Sequence, residues 1–260
     1  GICFAPVFLG FILPAGQLSV WAWQTYGEMV DSTFVQLTLN TVLLGLGSAV
    51  LAVVLALFLA YGKRLLATKS VIVSIRIAAI GYAIPGTVVA VGIIIPFAWL
   101  DNSIDSFMRE QFDYSTGLIL SGSLFAVLFA YMVRFLAVSL QTVESGLSKI
   151  KPSMDDAARS LGYRPRETLQ KVHMPLMKGS LLTALLIVFV DVMKELPATL
   201  ILRPFNFNTL AVRAFELASD ERLAESSTAA LMIVLVGLIP VIYLSRSISK
   251  SRAGSQGEAI

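Results

Sequence analysis

MDDAARSLGYRPRETLQKVHMP, residues 154–175, is the most charged run in a chain that is otherwise strongly apolar. Met154, Ala157, Ala158 and Leu161 recur at i, i+3, i+4 and i+7, which puts them on one face of an α-helix. Asp155, Asp156, Arg159 and Ser160 then take the other face. Pro152 stops what precedes it, and Ser153 followed three residues later by Asp156 predicts a capping box. Gly162 stands where a left-handed C-terminal cap is wanted, and Pro165 suits the first turn of a second short helix running to about Val172. Pro175 then sends the chain back into apolar sequence. Two alanines, a methionine and a leucine bury little in lipid but suit close docking into a protein groove. A helix lying on the membrane surface and a plain connector are the competing readings.

The flanking sequence sets the context. The 260 residues are 56% hydrophobic and 14% charged, with a mean hydropathy of +0.78, far from the soluble average. Charge-free runs cover 1–27, 32–62, 77–100, 114–133, 179–190 (continuing past a short charged interruption) and 226–245. A spanning helix needs about 20 apolar residues, so the expected fold is all-α, a polytopic membrane protein with about six transmembrane helices and a polar loop. The predicted layout is a first span and short outer segment over 1–30, a transmembrane domain over 31–248 with its loop at 141–178, and a tail at 249–260. The chain begins in apolar sequence at Gly1 without a basic leader, and its first span ends near Trp21 and Trp23 as an interfacial belt would, so a piece of a longer protein is expected. One cysteine, Cys3, permits no internal disulfide, and one histidine, His173, no histidine metal cluster.

Lys and Arg separate by side. Those of 63–76, 134–178 and 246–252 alternate with segments holding only Arg109, Arg203, Arg213 and Arg222 among ten carboxylates. The positive-inside bias assigns the first set, with the 141–178 loop and the C-terminus, to the cytoplasm. The net charge of +3 is therefore a topology signal and gives no support to nucleic-acid binding.

In this setting the loop resembles the "EAA" loop of binding-protein-dependent ABC importer permeases: Glu-Ala-Ala, three residues, Gly, nine residues, then Ile-x-Leu-Pro. Asp156-Ala157-Ala158, Gly162 and Val172-His173-Met174-Pro175 keep every spacing, with Asp for Glu, Val for Ile and Met for Leu. The segments 81–93 (GYAIPGTVVAVGI) and 190–225 are similar to the C-terminal half of ferric-iron import permeases. The resemblance implies a coupling helix seated on a cytoplasmic ATPase dimer. Met154, Ala157, Ala158 and Leu161 would form the packing face, Asp156 would meet a basic or amide partner, Gly162 would make the turn and Pro175 the return. It further implies a multi-pass protein of the bacterial inner membrane, a periplasmic solute-binding protein and a second permease half, either a missing N-terminal half or an identical copy. The chain has no G-x-x-x-x-G-K-[ST] phosphate loop, since Gly62-Lys63 is followed by Arg64 and lacks the upstream glycine. Expected, then, is a transport subunit that is not itself an enzyme and binds no cofactor, with ATP and Mg used by the partner. Ferric iron is the cargo that the resemblance implies, with thiamine, polyamine and phosphonate importers sharing the architecture.

Three charges interrupt the fifth span. Asp191, Lys194 and Glu195 begin about twelve residues after Gly179, roughly 18 Å into a ~30 Å core. Each charge costs about 2.5–3.5 kcal/mol at a helix centre, so lipid exposure is excluded. At i, i+3 and i+4 all three are expected on one face, as a structural ion pair or as lining of the translocation path. Pro197 breaks the helix directly afterwards. In the third span Tyr82 stands beside Pro85 and Gly86, a predicted kink, and is either packed or path-lining. Ala52, Ala56 and Ala60 predict a small-residue ridge for close helix contact. The acidic outer segments 101–114 and 203–225 read as a solvated face or as a docking rim. An ion-coupled secondary transporter using Asp191 and Glu195 is the alternative from another class, which explains the buried charges but not the loop.

Overall fold

A computed structural model describes residues 4–253, with side chains through residue 242. Cys3, most of the predicted 249–260 tail and the side chains of Arg246, Lys250 and Arg252 lie outside the described residues. Every described element is helical: α1 (Ala5–Met29), α2 (Ser32–Leu65), α3 (Lys69–Ala78), a 3-10 turn (Ala79–Ala83), α4 (Gly86–Phe112), α5 (Leu124–Ser148), α6 (Pro152–Ser160), α7 (Pro165–Leu176), α8 (Lys178–Met193), α9 (Pro197–Leu202), α10 (Leu210–Ser219) and α11 (Leu223–Ala253).

Five of these, α1, α2, α4, α5 and α11, are long and apolar enough to cross a membrane unaided. The sixth expected crossing is not one helix. α8 has 16 residues and meets α7 at a bend of 78°, and it stops at Met193 before the chain resumes as α9. α2 has 34 residues, about 51 Å at 1.5 Å per residue, so it outreaches a ~30 Å core.

Small residues set the helix spacing. Ala52 and Ala56 are wholly buried and Ala60 nearly so, giving the expected ridge of α2 against α5 and α8. The central core collects Val89 and Ala90 of α4, Ala130 and Tyr131 of α5, and Val188 and Val192 of α8 around this ridge. A Cβ at Gly81 would stand 1.8 Å from the Val133 carbonyl oxygen, so the 3-10 turn meets α5 backbone to backbone. Leu39, Leu43, Val50, Val54 and Phe58 remain exposed along α2, an apolar outer stripe suited to lipid.

Several expectations change at helix ends. Pro85 does not kink a span; it is the N-cap residue of α4, which leaves Tyr82 in the preceding 3-10 turn and half exposed. The fourth span begins at Ser123, whose hydroxyl accepts from Ala126 N–H, and continues to Ser148. Arg134 thus lies mid-helix, about 21 Å from the Ser148 end, and not at the polar end to which the charge pattern assigns it. Pro152 begins α6 at its first turn, where a missing N–H costs nothing, and Ser153 caps nothing. Asp101 is fully buried, not solvated: its carboxylate accepts the N–H groups of Ile119, Leu120 and Ser121 and folds the 113–123 connection back over α4.

Gly81→Ala is expected to cost about 2 kcal/mol, because neither backbone can retreat, whereas Gly47→Ala, with open space around its Cβ, should stay within about 0.5 kcal/mol of wild type. Thermal unfolding in detergent micelles compares the two, and equal melting temperatures would contradict the close approach.

Candidate functional site

The 149–176 loop is a folded unit. α6 ends in a Schellman motif: Tyr163 N–H donates to Ala158 O at 3.0 Å and Gly162 N–H to Arg159 O at 2.9 Å, with Gly162 at φ +81 as the sequence requires. Pro165 opens α7, and Glu167 Oε2 accepts from Arg164 N–H at 2.9 Å. Pro175 is exposed, and the change of direction falls two residues later at buried Met177. Met154, Pro175, Lys149 and Lys178 border a cavity of about 890 Å³ between the loop and the ends of α5 and α8.

The predicted four-residue stripe divides. Ala158 turns inward and is 3% exposed, while Met154, Ala157 and Leu161 face out, Leu161 at 75%. The Asp156 side chain is exposed and, among the described residues, paired only with Arg159, at 3.2 Å. The division follows from Asp155, which the helical pattern puts on the solvent face. Arg64 Nε and Nη2 donate to Asp155 Oδ2 at 3.0 and 2.6 Å, while Nη1 donates to Leu147 O at 2.8 Å and Nη2 to Ile150 O at 2.9 Å. One guanidinium thereby holds the end of α5 and the first turn of α6. On the other carboxylate oxygen, Oδ1, His173 Nε2 approaches at 2.7 Å without a well-aligned hydrogen bond. His173 is completely buried and lies edge-on to Tyr61, ring centroids 5.5 Å apart. α7 leaves the α8 axis by 78°. Tyr61 OH donates to Pro165 O at 2.7 Å, tying α7 to the same helix end.

A second polar cluster lies deeper. Glu195 pairs with Arg134 Nη1 of α5 and accepts Ala198 N–H at 3.3 Å; its backbone oxygen accepts from Thr199 Oγ1 at 2.8 Å, and Thr199 Oγ1 meets Tyr131 OH at 2.5 Å. A Cβ on Gly86 would lie 2.8 Å from Glu195 Oε1 and 2.9 Å from Arg134 Nη1, so the first residue of α4 lies directly against the pair. The three charges expected on one face therefore separate. α8 ends at Met193, Glu195 turns inward to Arg134, and among the described residues Lys194 Nζ binds only Asp191 Oδ1, at 3.0 Å. The Lys194 side chain is 65% exposed against 14% for Asp191.

Tyr61, Arg64, Asp155, His173 and Arg134 carry these clusters, and none of them is among the site residues expected from the sequence. Arg134 has a readable signal: a lone charge with apolar sequence on both sides, 125–133 and 135–140, calls for a buried carboxylate, and the fifth span holds two, Asp191 and Glu195, with only Lys194 beside them. Arg64 has none, because a basic residue at the end of a span looks the same whether it meets water or a buried carboxylate.

Residues 52–253 match the family model described as binding-protein-dependent transport system inner membrane component. The chain is 30% identical over 122 residues to the Fe(3+)-transport system permease protein FbpB 2 of Haemophilus influenzae, covering 47% of this chain and 24% of that protein. It is 28% identical over 164 residues to the putative 2-aminoethylphosphonate transport system permease protein PhnV of Salmonella typhimurium, covering 63% and 56%. It thus spans under two thirds of either relative. Among solved structures it is similar to a chain of the bacterial alginate ABC transporter in complex with alginate-bound periplasmic protein, with TM-score 0.71 and 15% identity over 94% of this chain and 91% of that one. The MetNI methionine ABC transporter in an inward-facing form gives TM-score 0.57 at 15% identity over 85% and 99%. At such identities these structures speak for the fold alone. With the family model spanning most of its length, the chain belongs to the binding-protein-dependent transport system inner membrane components, a family of multi-pass ABC transporter permeases.

Proposed function

We propose that this chain is the permease subunit of an ATP-driven ABC importer, with the 149–176 loop as the surface that an ATPase grips from the cytoplasm. The observation that carries the reading is the exposed ridge of Met154, Ala157 and Leu161 on a helix fastened underneath by Arg64 and closed by Gly162. A surface helix bound to lipid needs no such fastening, whereas a handle that transmits force does. ATP and Mg belong to the partner ATPase dimer in this reading, a solute-binding protein docks at the opposite, periplasmic end, and a second permease half completes the path in the inner membrane.

Lys194 supports a path beside α8. From Lys178 it is about 24 Å along the helix, beyond the middle of a ~30 Å core, yet its side chain is 65% exposed. A lysine there needs water or another protein chain, so the face bearing Lys194 and Asp191 is the best candidate for the path. Tyr82 and Pro85, exposed near the start of α4, remain candidates for the same role. Glu195 serves differently: its pairing with Arg134 makes it a fixed joint between α5 and α9, which also counts against the ion-coupled alternative, where it must change protonation.

Ferric iron is the cargo we infer, on the likeness to FbpB 2. The longer alignment with PhnV favours a phosphonate as the second reading. No three His, Cys, Asp or Glu residues are placed to hold a metal among the described residues, so selection of iron would fall to the binding protein.

Leu161→Asp should abolish co-purification with a co-expressed partner ATPase while leaving the melting temperature unchanged; retained binding would point to lipid anchoring. Gly162→Val should weaken the same binding, since a left-handed residue with a side chain costs about 1–2 kcal/mol. Lys194→Met should lower uptake of labelled solute with docking intact, and undiminished uptake would remove Lys194 from the path. Labelled ferric iron and labelled 2-aminoethylphosphonate, compared in proteoliposomes, separate the two cargo readings.

A further inference from the structure

By side-chain hydrogen bonds and ion pairs the loop is fastened to α2 and α5, while Ile150 and Met177 share apolar packing with Leu181 and Ala184 of α8. Arg64 and Tyr61 stand i, i+3 on the last turn of α2, Arg64 bonded to Asp155 in the first turn of α6 and Tyr61 to Pro165 at the start of α7. Arg64 also holds the Leu147 and Ile150 carbonyls at the end of α5. Between α6 or α7 and α8, among the described residues, no side-chain hydrogen bond or ion pair exists. The chain crosses there through Met177 alone, at the 78° bend.

α2 is bonded at its other end as well. Thr41 Oγ1 accepts Leu210 N–H at 2.9 Å and Asn40 Nδ2 donates to Asn208 O at 3.2 Å. Twenty-three residues separate Thr41 from Arg64, roughly 35 Å along the helix axis. One unbroken helix thus connects the loop on one side of the membrane to the 208–210 segment at the start of α10 on the other.

We infer that Arg64 is the positioning residue that makes α2 a strut between the ATPase-docking loop and the outer segment at 208–210. Displacing the α6 ridge then moves α2 and the end of α5 with it. The fork of the guanidinium is suited to carrying such a displacement. Both partners are mostly shielded, with side-chain exposures of 18% and 21%, and the planar group fixes direction as well as distance in a way that a lysine ammonium does not. The inference rests on the reading of the loop as an ATPase-docking surface.

The test uses the assembled transporter, meaning this chain with its second half, ATPase and solute-binding protein, reconstituted in proteoliposomes. Solute moved per ATP and stimulation of hydrolysis by the binding protein are both measured. Arg64→Ala and Asp155→Asn should each lower the solute-to-ATP ratio about fivefold or more and abolish the stimulation, with basal hydrolysis within about twofold of wild type. Arg64→Lys should fall between, and the double variant should be no worse than Arg64→Ala, since Asp155 has already lost its Arg64 partner in that variant. Lys63→Ala is the control: Lys63 pairs with Glu144 at 2.7 Å on the same turn without touching α6 or α7, and the ratio should not change. An unchanged ratio in Arg64→Ala overturns the inference, as does a parallel fall of uptake and basal hydrolysis across the Arg64 and Asp155 variants. Should Arg64→Ala not assemble, Arg64→Lys and Asp155→Asn are judged by the same criteria. Failure of the unaltered chain to assemble with the ATPase would instead overturn the permease reading itself.

Discussion

The guanidinium of Arg64 joins three pieces of backbone that are far apart in sequence: its own helix, the end of α5 at Leu147 and Ile150, and the first turn of α6 at Asp155. Each of these ends would otherwise present unpaired carbonyls or a loose carboxylate at the edge of the membrane. A lysine could neutralise Asp155 but could not also reach two carbonyls in one plane. From this contact follows the orientation of α6, with Asp155 and Ala158 inward and Met154, Ala157 and Leu161 outward. The exposed ridge of Met154, Ala157 and Leu161 is what the inward anchor leaves free.

Inside the membrane the same logic appears with higher stakes. Arg134 and Glu195 are largely hidden, and removing one partner of a buried pair costs about 3–5 kcal/mol, because the other charge remains. The close packing of Gly86 on the pair and the break between α8 and α9 are two sides of one solution: the chain leaves its helix at Met193 so that Glu195 can reach α5. Lys194, left outside that joint and held only by Asp191, is the charge that faces outward at depth. The one cluster expected on sequence alone is two, Glu195 with Arg134 and Lys194 with Asp191.

Much of the fold is legible in the sequence. Apolar run length locates the spanning helices, the four-residue alanine period locates the α2 ridge, and Gly162 and Pro165 mark the turn and the second loop helix where they occur. What is not legible depends on partners distant in sequence. Amphipathic periodicity puts Asp155 on the water face because nothing local distinguishes a solvated aspartate from one claimed by an arginine 91 residues away. Pro85 and Pro152 read as a kink and a stop, yet both open helices, since a proline tolerated at a first turn is disruptive only further in. Asp101 looks solvated because backbone N–H donors, which satisfy it, leave no trace in side-chain identity.

What touches Leu161 in the intact membrane decides whether the loop is the grip of an ATP-driven motor. With Cys3 replaced by serine and a cysteine introduced at Leu161, a bifunctional cross-linker applied to inverted membrane vesicles should join this chain to a co-expressed ATPase subunit, and ATP should change the yield. A cysteine at this position that reacts only from the opposite face, or that is quenched by lipid-borne reagents and never cross-links to the ATPase, would contradict it.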